Sequence, residues 1–243
     1  MSELIYYDLK QAAGMAPSLS TQVARELGRR IVAGTYVPGS LIDDETALTK
    51  RYQVSKVVIR DAVKILVSKG LLDVRRGIGT KVRSRNHWVI WDDDVLAWHL
   101  SAPPNKDFLR QLMDVRLAFE PKAARWAAER ATDEDIVEID KACFRMENEK
   151  GSVEDYIVAD ALFHRTVLLA ARNEFLKAME GVIYSALLVS IRITNRDPRN
   201  NADSIPFHRA VYNAIASRDG DLAESLTQEL LSDAKHRLSE KVT

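Results

Sequence analysis

GTYVPGSLIDDETALTKRYQVSKVVIRDAVKILVSKGLLDVRRGIGTKV, residues 34–82, decides the fold. Asp43 or Asp44 can cap a short helix carrying Ala47, Leu48 and Tyr52, and after the Gln53-Val54 turn Ser55 can cap a second. The apolar positions Ile59, Ala62, Val63 and Leu66 keep helical spacing, and Gly70 is placed to stop the helix. The next residues, LLDVRRGIGTKVR (71–83), flank a Gly77-Ile78-Gly79 turn with β-branched positions, as a two-stranded hairpin does. Upstream, Val23, Leu27, Ile31 and Val32 share one face of a helix that begins after Ser20 and ends by Gly34. Three helices with a short turn before the third, then a basic hairpin, form the order of a winged helix-turn-helix.

The charge pattern points the same way. The 243 residues hold 35 basic and 35 acidic side chains, yet residues 1–85 carry 15 basic against 8 acidic and the remainder 20 against 27. A basic module joined to an acidic one suggests polyanion binding at one end and a different task at the other. No run of about 18 uncharged apolar residues is present, so a membrane partner is not expected. The single Cys143 excludes an internal disulfide and a multi-thiolate metal site, and a cytoplasmic setting is the expectation.

Four segments are expected: a loose arm over 1–17, the winged helix over 18–84, a linker with a short helix over 85–105, and a helical bundle over 106–243. The linker reading rests on Trp88, Trp91, the Asp92-Asp93-Asp94 run, Trp98 and Pro103-Pro104. Beyond it every strongly periodic segment is helical. Thr132 caps DEDIVEIDKACFRMENEK, Ser152 and Asp155 form a capping box before YIVADALFHRTVLLAAR, and Asp221 with Glu224 can box the last helix. FLKAMEGVIYSALLVSIRI (175–193) reads as a long apolar helix, and the whole as an antiparallel bundle of six or seven helices. The fold class is therefore mainly α.

On the third helix, Lys56 and Arg60 lie four apart at its start and are candidate base or phosphate contacts in a major groove. In the wing, Arg75, Arg76 and Lys81 reach for phosphates, and Gly77 permits close backbone approach. In the bundle, Asp160 and His164 are four apart on one helix, about 40° apart around it, and His208 stands on a later helix. One carboxylate and two imidazoles suit a first-row divalent ion such as Zn, Ni or Mn. The same three groups could activate a metal-bound water, which keeps a metal-dependent hydrolase as the alternative.

Residues 34–82 resemble the DNA-binding domain of the GntR superfamily of bacterial transcription regulators from end to end. The shared features are Gly39-Ser40-Leu41, Val54-Ser55-Lys56, Ile59-Arg60-Asp61-Ala62, Gly70-Leu71-Leu72 and the Gly77-Ile78-Gly79 wing. The resemblance implies that Thr46, Ser55, Lys56, Arg60 and Gly77 touch double-stranded operator DNA. Two departures stand out: Asp43-Asp44 replace the usual Pro-Ser or Pro-Ala, and Thr46 replaces a frequent arginine.

The bundle resembles the effector domain of the FadR subfamily through DVRLAFEPKAARWAAERAT, DALFHRTVLLAARNEFL and FHRAVYNAIASRDGDLAESL. That resemblance implies metal ligands at Asp160, His164 and His208, with a fourth histidine replaced here by Leu230, or by Ser232 if the Gly-Asp insertion after Asp219 is counted. Water or the effector then completes the site, or these groups hydrogen-bond the effector directly without metal. Arg116 matches a cavity-facing arginine of the subfamily, and Arg192 is a second cation on an apolar helix. An arginine fork fits a carboxylate in two bonds, although Arg116 could instead pair only with Glu120 one turn on. NHWVIWDDDVLAWHL with the following bundle start is similar to members that respond to sugar acids, which implies an aldonate or uronate. The expectation is a homodimeric repressor released from a palindromic operator by a small carboxylate.

Overall fold

The computed structural model describes residues 17–102, 106–179, 181, 184 and 204–241. The chain divides into two compact units, Met1–Pro103 and Pro104–Thr243.

In the first unit α1 spans Leu19–Val32, α2 Glu45–Tyr52 and α3 Lys56–Ser68. Helix α1 starts earlier than its apolar spacing suggests, because Ser18 Oγ accepts the Thr21 N–H at 3.2 Å. Asp44, not Asp43, caps α2 by accepting the Ala47 N–H at 2.7 Å. Asp43 is occupied by the Tyr36 hydroxyl and the Arg51 guanidinium. Ser55 caps α3. The chain then turns at Gly70, where φ is +75° and an added Cβ would meet the His87 carbonyl oxygen at 2.0 Å.

The wing is β1 (Leu72–Arg75) antiparallel to β2 (Gly79–Val82), with Leu72 opposite Val82 and Arg75 opposite Gly79. Leu72 and Val82 point inward to join Leu27, Ile31, Leu48, Ile59 and Leu66 in one apolar core. The stretch expected to be a linker with a short helix holds α4 at Asp93–Ser101, capped by Asp92. This helix packs on α1, with Val95 and Trp98 in the same core. Lys69 fastens its start, reaching Asp92 at 2.7 Å and Asp94 at 2.8 Å.

The second unit holds, among the described residues, α5 (Lys106–Arg130), α6 (Asp133–Asn148), α7 (Val153–Ala170), α8 (Glu174–Ala178), α9 (Ser204–Ala216) and α10 (Gly220–Lys241). Thr132 with Asp135 and Ser152 with Asp155 form reciprocal capping boxes. The last helix differs from expectation: Asp219 accepts the Leu222 N–H at 3.0 Å, while Asp221 and Glu224 bind Arg125 of α5 at 2.6 and 3.3 Å. Most of the long apolar segment 175–193, with Arg192, lies outside the described residues. Helices α5, α6, α7, α9 and α10 pack around a core of small residues, among them Ala124, Ala127, Ala128, Ala142 and Ala214, with Phe163 and Ile215. Alanine contacts let the helices approach closely, so a charged side chain on an inner face has little room to move.

Candidate functional site

Two regions carry the sequence-predicted residues. On the first unit, Thr46, Ser55, Lys56, Arg60, Arg75, Arg76 and Gly77 are all exposed. Ser55 is committed to capping α3 through the Val58 N–H at 3.4 Å. Arg60 is held across the helix-turn-helix by Glu45 of α2, its Nε at 2.7 Å and its Nη2 at 3.1 Å from the two carboxylate oxygens. Arg75 pairs with Asp73 at 2.9 Å. Lys56 stands at the first position of α3, where the helix presents unpaired backbone N–H groups and positive potential. At the wing tip nothing lies within 4 Å of a Cβ built on Gly77, so a phosphate has open access to the backbone.

The second region is inside the bundle. Tyr156, Asp160 and His164 recur every fourth residue on α7, His208 comes from α9, and Arg116 and Glu120 come from α5. Arg116, Glu120, Asp160, His164 and His208 are each no more than 6% exposed. Asp160 Oδ1 lies 3.2 Å from His164 Nε2 and 3.3 Å from His208 Nε2, and the two Nε2 atoms are 3.3 Å apart. Two ligands each about 2.0–2.1 Å from one tetrahedral ion are roughly 3.3–3.4 Å apart, so the three atoms fit a common ion. Asp160 Oδ1 is buried with no donor aligned on it, which is the arrangement a cation would complete.

The outer nitrogens are committed elsewhere. His208 Nδ1 donates to the Ser204 carbonyl at 2.6 Å, and His164 Nδ1 faces Glu120 Oε2 at 2.8 Å. Both inner Nε2 atoms are therefore available as lone-pair donors when the rings are neutral. Burial would raise the Asp160 carboxyl, but the His208 and His164 imidazoles outweigh it and hold it well below the usual range. Burial opposes charge on His164, yet the Glu120 and Asp160 carboxylates outweigh it and raise its pKa. Glu120 is likewise opposed by burial, and Arg116 and His164 bring it down to about 2.

Arg116 is paired with Glu120, Nε to Oε1 at 2.6 Å and Nη2 to Oε2 at 3.4 Å, the i,i+4 partnership left open by the sequence. Beside it is a cavity of about 10 Å³ whose lining includes Glu120, Phe163, His164, Thr227 and Leu230. Leu230, and not Ser232, thus lines this cavity together with His164; Ser232 is exposed and bonds the Gln228 carbonyl at 2.7 Å. His236 is exposed too. In the sequence Glu120 is visible only as a mate for Arg116, because its contact with His164 joins positions 44 residues apart. Arg209 was also passed over. It anchors α9 beside His208, binding Glu147 at 2.7 and 2.6 Å and Asp140 at 2.6 Å.

Residues 19–82 match the gntR family of bacterial regulatory proteins, and residues 111–233 match the FCD domain. The galactonate operon transcriptional repressor of Escherichia coli is 33% identical over 227 residues, which cover 93% of this chain and 99% of that protein. The transcriptional repressor NanR of Klebsiella aerogenes is 30% identical over 233 residues, covering 93% and 87%. Among solved structures, that of Lar, which controls expression of the Listeria monocytogenes agr system, superposes with a TM-score of 0.67 at 17% identity. It covers 93% of this chain and 99% of that one, and it speaks to the fold alone.

Proposed function

Because this chain belongs to the gntR family of bacterial regulatory proteins and carries an FCD domain, we propose that it is a repressor released from its operator by a sugar acid. It is a DNA-binding transcription regulator and not an enzyme; the hydrolase alternative has no support among its relatives. No helix among the described residues is long and apolar enough to cross a membrane.

The observation that carries the effector reading is the buried polar set in an otherwise apolar bundle: Asp160, His164 and His208 converging at 3.2–3.3 Å beside the Arg116 fork. Burying ionisable side chains costs stability, and these four, one carboxylate, two imidazoles and a guanidinium, suit a cation and an anion together. Asp160, His164 and His208 would hold a divalent ion, which supplies a Lewis-acidic partner for an oxygen-rich ligand. With Leu230 in place of a fourth histidine, that partner is left to the effector or to water.

Arg116, and Arg192 from outside the described residues, complement the effector carboxylate. Galactonate is the first acid to try, given the name of the E. coli relative. The cavity now admits about one water, so a six-carbon acid has to part the helices around it. An effector that binds the parted arrangement more tightly shifts the protein toward it, and release follows if that arrangement holds DNA poorly. At the other end, the units spanning 18–84 in a homodimer read two half-sites, with Lys56, Arg60, Thr46 and Ser55 at the groove and Arg75, Arg76 and Gly77 at phosphates.

The test is fluorescence anisotropy of the full chain on DNA from upstream of its own gene, titrated with galactonate and a panel of other aldonates and uronates. Tight, salt-sensitive binding released by one acid is expected. Binding unmoved by every acid would overturn the effector assignment, and no binding at all would overturn the operator assignment.

A further inference from the structure

We propose that Glu120 is a positioning residue of the bundle site: its carboxylate fixes His164 with Nε2 turned toward Asp160 and His208, and so sets the affinity for metal. The inference rests on the metal reading above and adds a residue to it.

A ligating imidazole must offer a lone pair on one nitrogen, and the partner of the other nitrogen decides which one that is. The two imidazoles here are backed differently. His208 Nδ1 leans on the Ser204 carbonyl one turn earlier in its own helix, a local bond that any α9 residue at this spacing could make. His164 Nδ1 leans instead on a carboxylate from another helix, α5 against α7. An ionised carboxylate behind an imidazole orients the ring and makes its far nitrogen a stronger donor than a neutral carbonyl does.

The two oxygens of Glu120 divide their work. Oε1 takes the Arg116 Nε at 2.6 Å, whereas Oε2 lies 2.8 Å from His164 Nδ1 and only 3.4 Å from Arg116 Nη2. The fork is therefore skewed, with its second bond 0.8 Å longer than its first, whereas Glu147 meets Arg209 evenly at 2.7 and 2.6 Å; the long side is the one on which Oε2 meets His164. Glu120 is 3% exposed, so water does not compete for either bond. Arg116 has a second task in this scheme. Its Nε pins Oε1 at 2.6 Å, which leaves Oε2 turned toward His164 Nδ1.

The test is a Zn²⁺ competition titration against a chromophoric chelator, run on the full chain as wild type, Glu120→Gln, Glu120→Ala, the Arg116→Met/Glu120→Gln double variant and Arg125→Met. Glu120→Gln keeps an acceptor without the charge and should weaken Zn²⁺ binding about 10-fold; Glu120→Ala keeps neither and should weaken it about 100-fold. The double variant removes both buried charges together, which keeps the comparison available if a lone Arg116 prevents folding. It should match Glu120→Gln. Arg125→Met breaks surface ion pairs between α5 and α10 and should leave Zn²⁺ affinity unchanged whatever it does to the melting temperature.

A Co²⁺ visible spectrum supplies the readout that a merely structural role would not move: it should shift in Glu120→Ala and stay as wild type in Arg125→Met. Folded Glu120 variants that bind Zn²⁺ within twofold of a metal-binding wild type, with an unaltered Co²⁺ spectrum, would overturn the role of Glu120 alone. A wild-type chain that binds none of Zn²⁺, Ni²⁺ or Mn²⁺ would overturn the metal reading and this inference with it.

Discussion

Replacing Gly28 by alanine should loosen the DNA-binding unit, against the ordinary rule that alanine stabilises a helix. Gly28 is buried in the second half of α1 under the indole of Trp98 from α4. A Cβ at this position would lie 2.4 Å from Trp98 Cζ3 and 2.6 Å from Cε3 and Cη2. Carbon atoms in good contact sit about 3.5–4.0 Å apart, so the ring would have to retreat by about 1 Å. It has nowhere to go, being 1% exposed and surrounded by the core of that unit. Overpacking of this kind costs about 1–3 kcal/mol, while alanine in place of helical glycine returns about 1 kcal/mol. A net loss of up to about 2 kcal/mol is expected, and each kcal/mol moves the midpoint of a domain this size by about 4–8 °C.

Thermal unfolding followed by near-ultraviolet circular dichroism, which reports on the indoles, measures the shift directly. The decisive comparison is the double-mutant cycle with Trp98→Ala. Trp98→Ala alone should cost about 3–5 kcal/mol, but in that background Gly28→Ala should stabilise by about 1 kcal/mol, because only the helix propensity remains. A Gly28→Ala protein that melts higher than wild type would rule out a clash with Trp98. So would one that loses as much with Trp98 absent as with it present.

The site residues make further predictions. Lys56→Ala should weaken operator binding about 10-fold and flatten the salt dependence by about one phosphate contact, with effector affinity unchanged in a direct calorimetric titration. Arg116→Ala should still bind operator yet fail to release it with any sugar acid, measured below its lowered melting temperature because Glu120 is left buried without its main cation; normal induction would place the effector elsewhere. Leu230→His puts a fourth imidazole into the cavity that His164 lines, so Zn²⁺ affinity should rise at least 10-fold, and unchanged affinity in a folded variant would remove Leu230 from the site. His99 supplies a pH test. Burial pushes its pKa down to about 4 with the Arg85 charge assisting, while its Nδ1 donates to the Val95 carbonyl at 2.7 Å and its Nε2 lies 3.0 Å from Arg85. The unfolded chain takes up this proton near pH 6.5 and the folded one only near pH 4, so stability of the first unit should fall by about 3 kcal/mol as pH drops through that window. A His99→Gln protein with an equally steep midpoint-against-pH curve would sink this assignment.

Much of the architecture was legible because its causes are local. A serine or threonine followed three residues later by an acid closes two hydrogen bonds within one turn, so Thr132 and Ser152 mark helix starts without reference to anything distant. The Gly77-Ile78-Gly79 turn between β-branched flanks and the 3.6-residue spacing of Ile59, Ala62 and Leu66 are equally local and point directly to wing and recognition helix. Local rules misplaced residues that had a better offer from afar. Between Asp43 and Asp44 as cap of α2 the choice fell to Asp44 because Asp43 binds Tyr36 and Arg51, and Asp221 and Glu224 bind Arg125 instead of boxing α10. Trp98 resembled part of a linker because its partner, Gly28, is 70 residues earlier and glycine carries no apolar signal.

By itself, the sequence determined the family, the winged helix, the helical bundle and the three candidate metal ligands, since caps, periodicity and motif spacing are written in neighbouring residues. The packed bundle is what brings the three ligand atoms to 3.2–3.3 Å, sets Glu120 behind His164, and turns Leu230 rather than Ser232 to the cavity. Helical spacing fixes the face on which a side chain emerges, but the rotation and approach of each helix are set by the close packing of alanines and larger residues from helices far apart in the chain. A ligand set needs placement to a few tenths of an ångström, and that precision arises from the packing of the whole bundle.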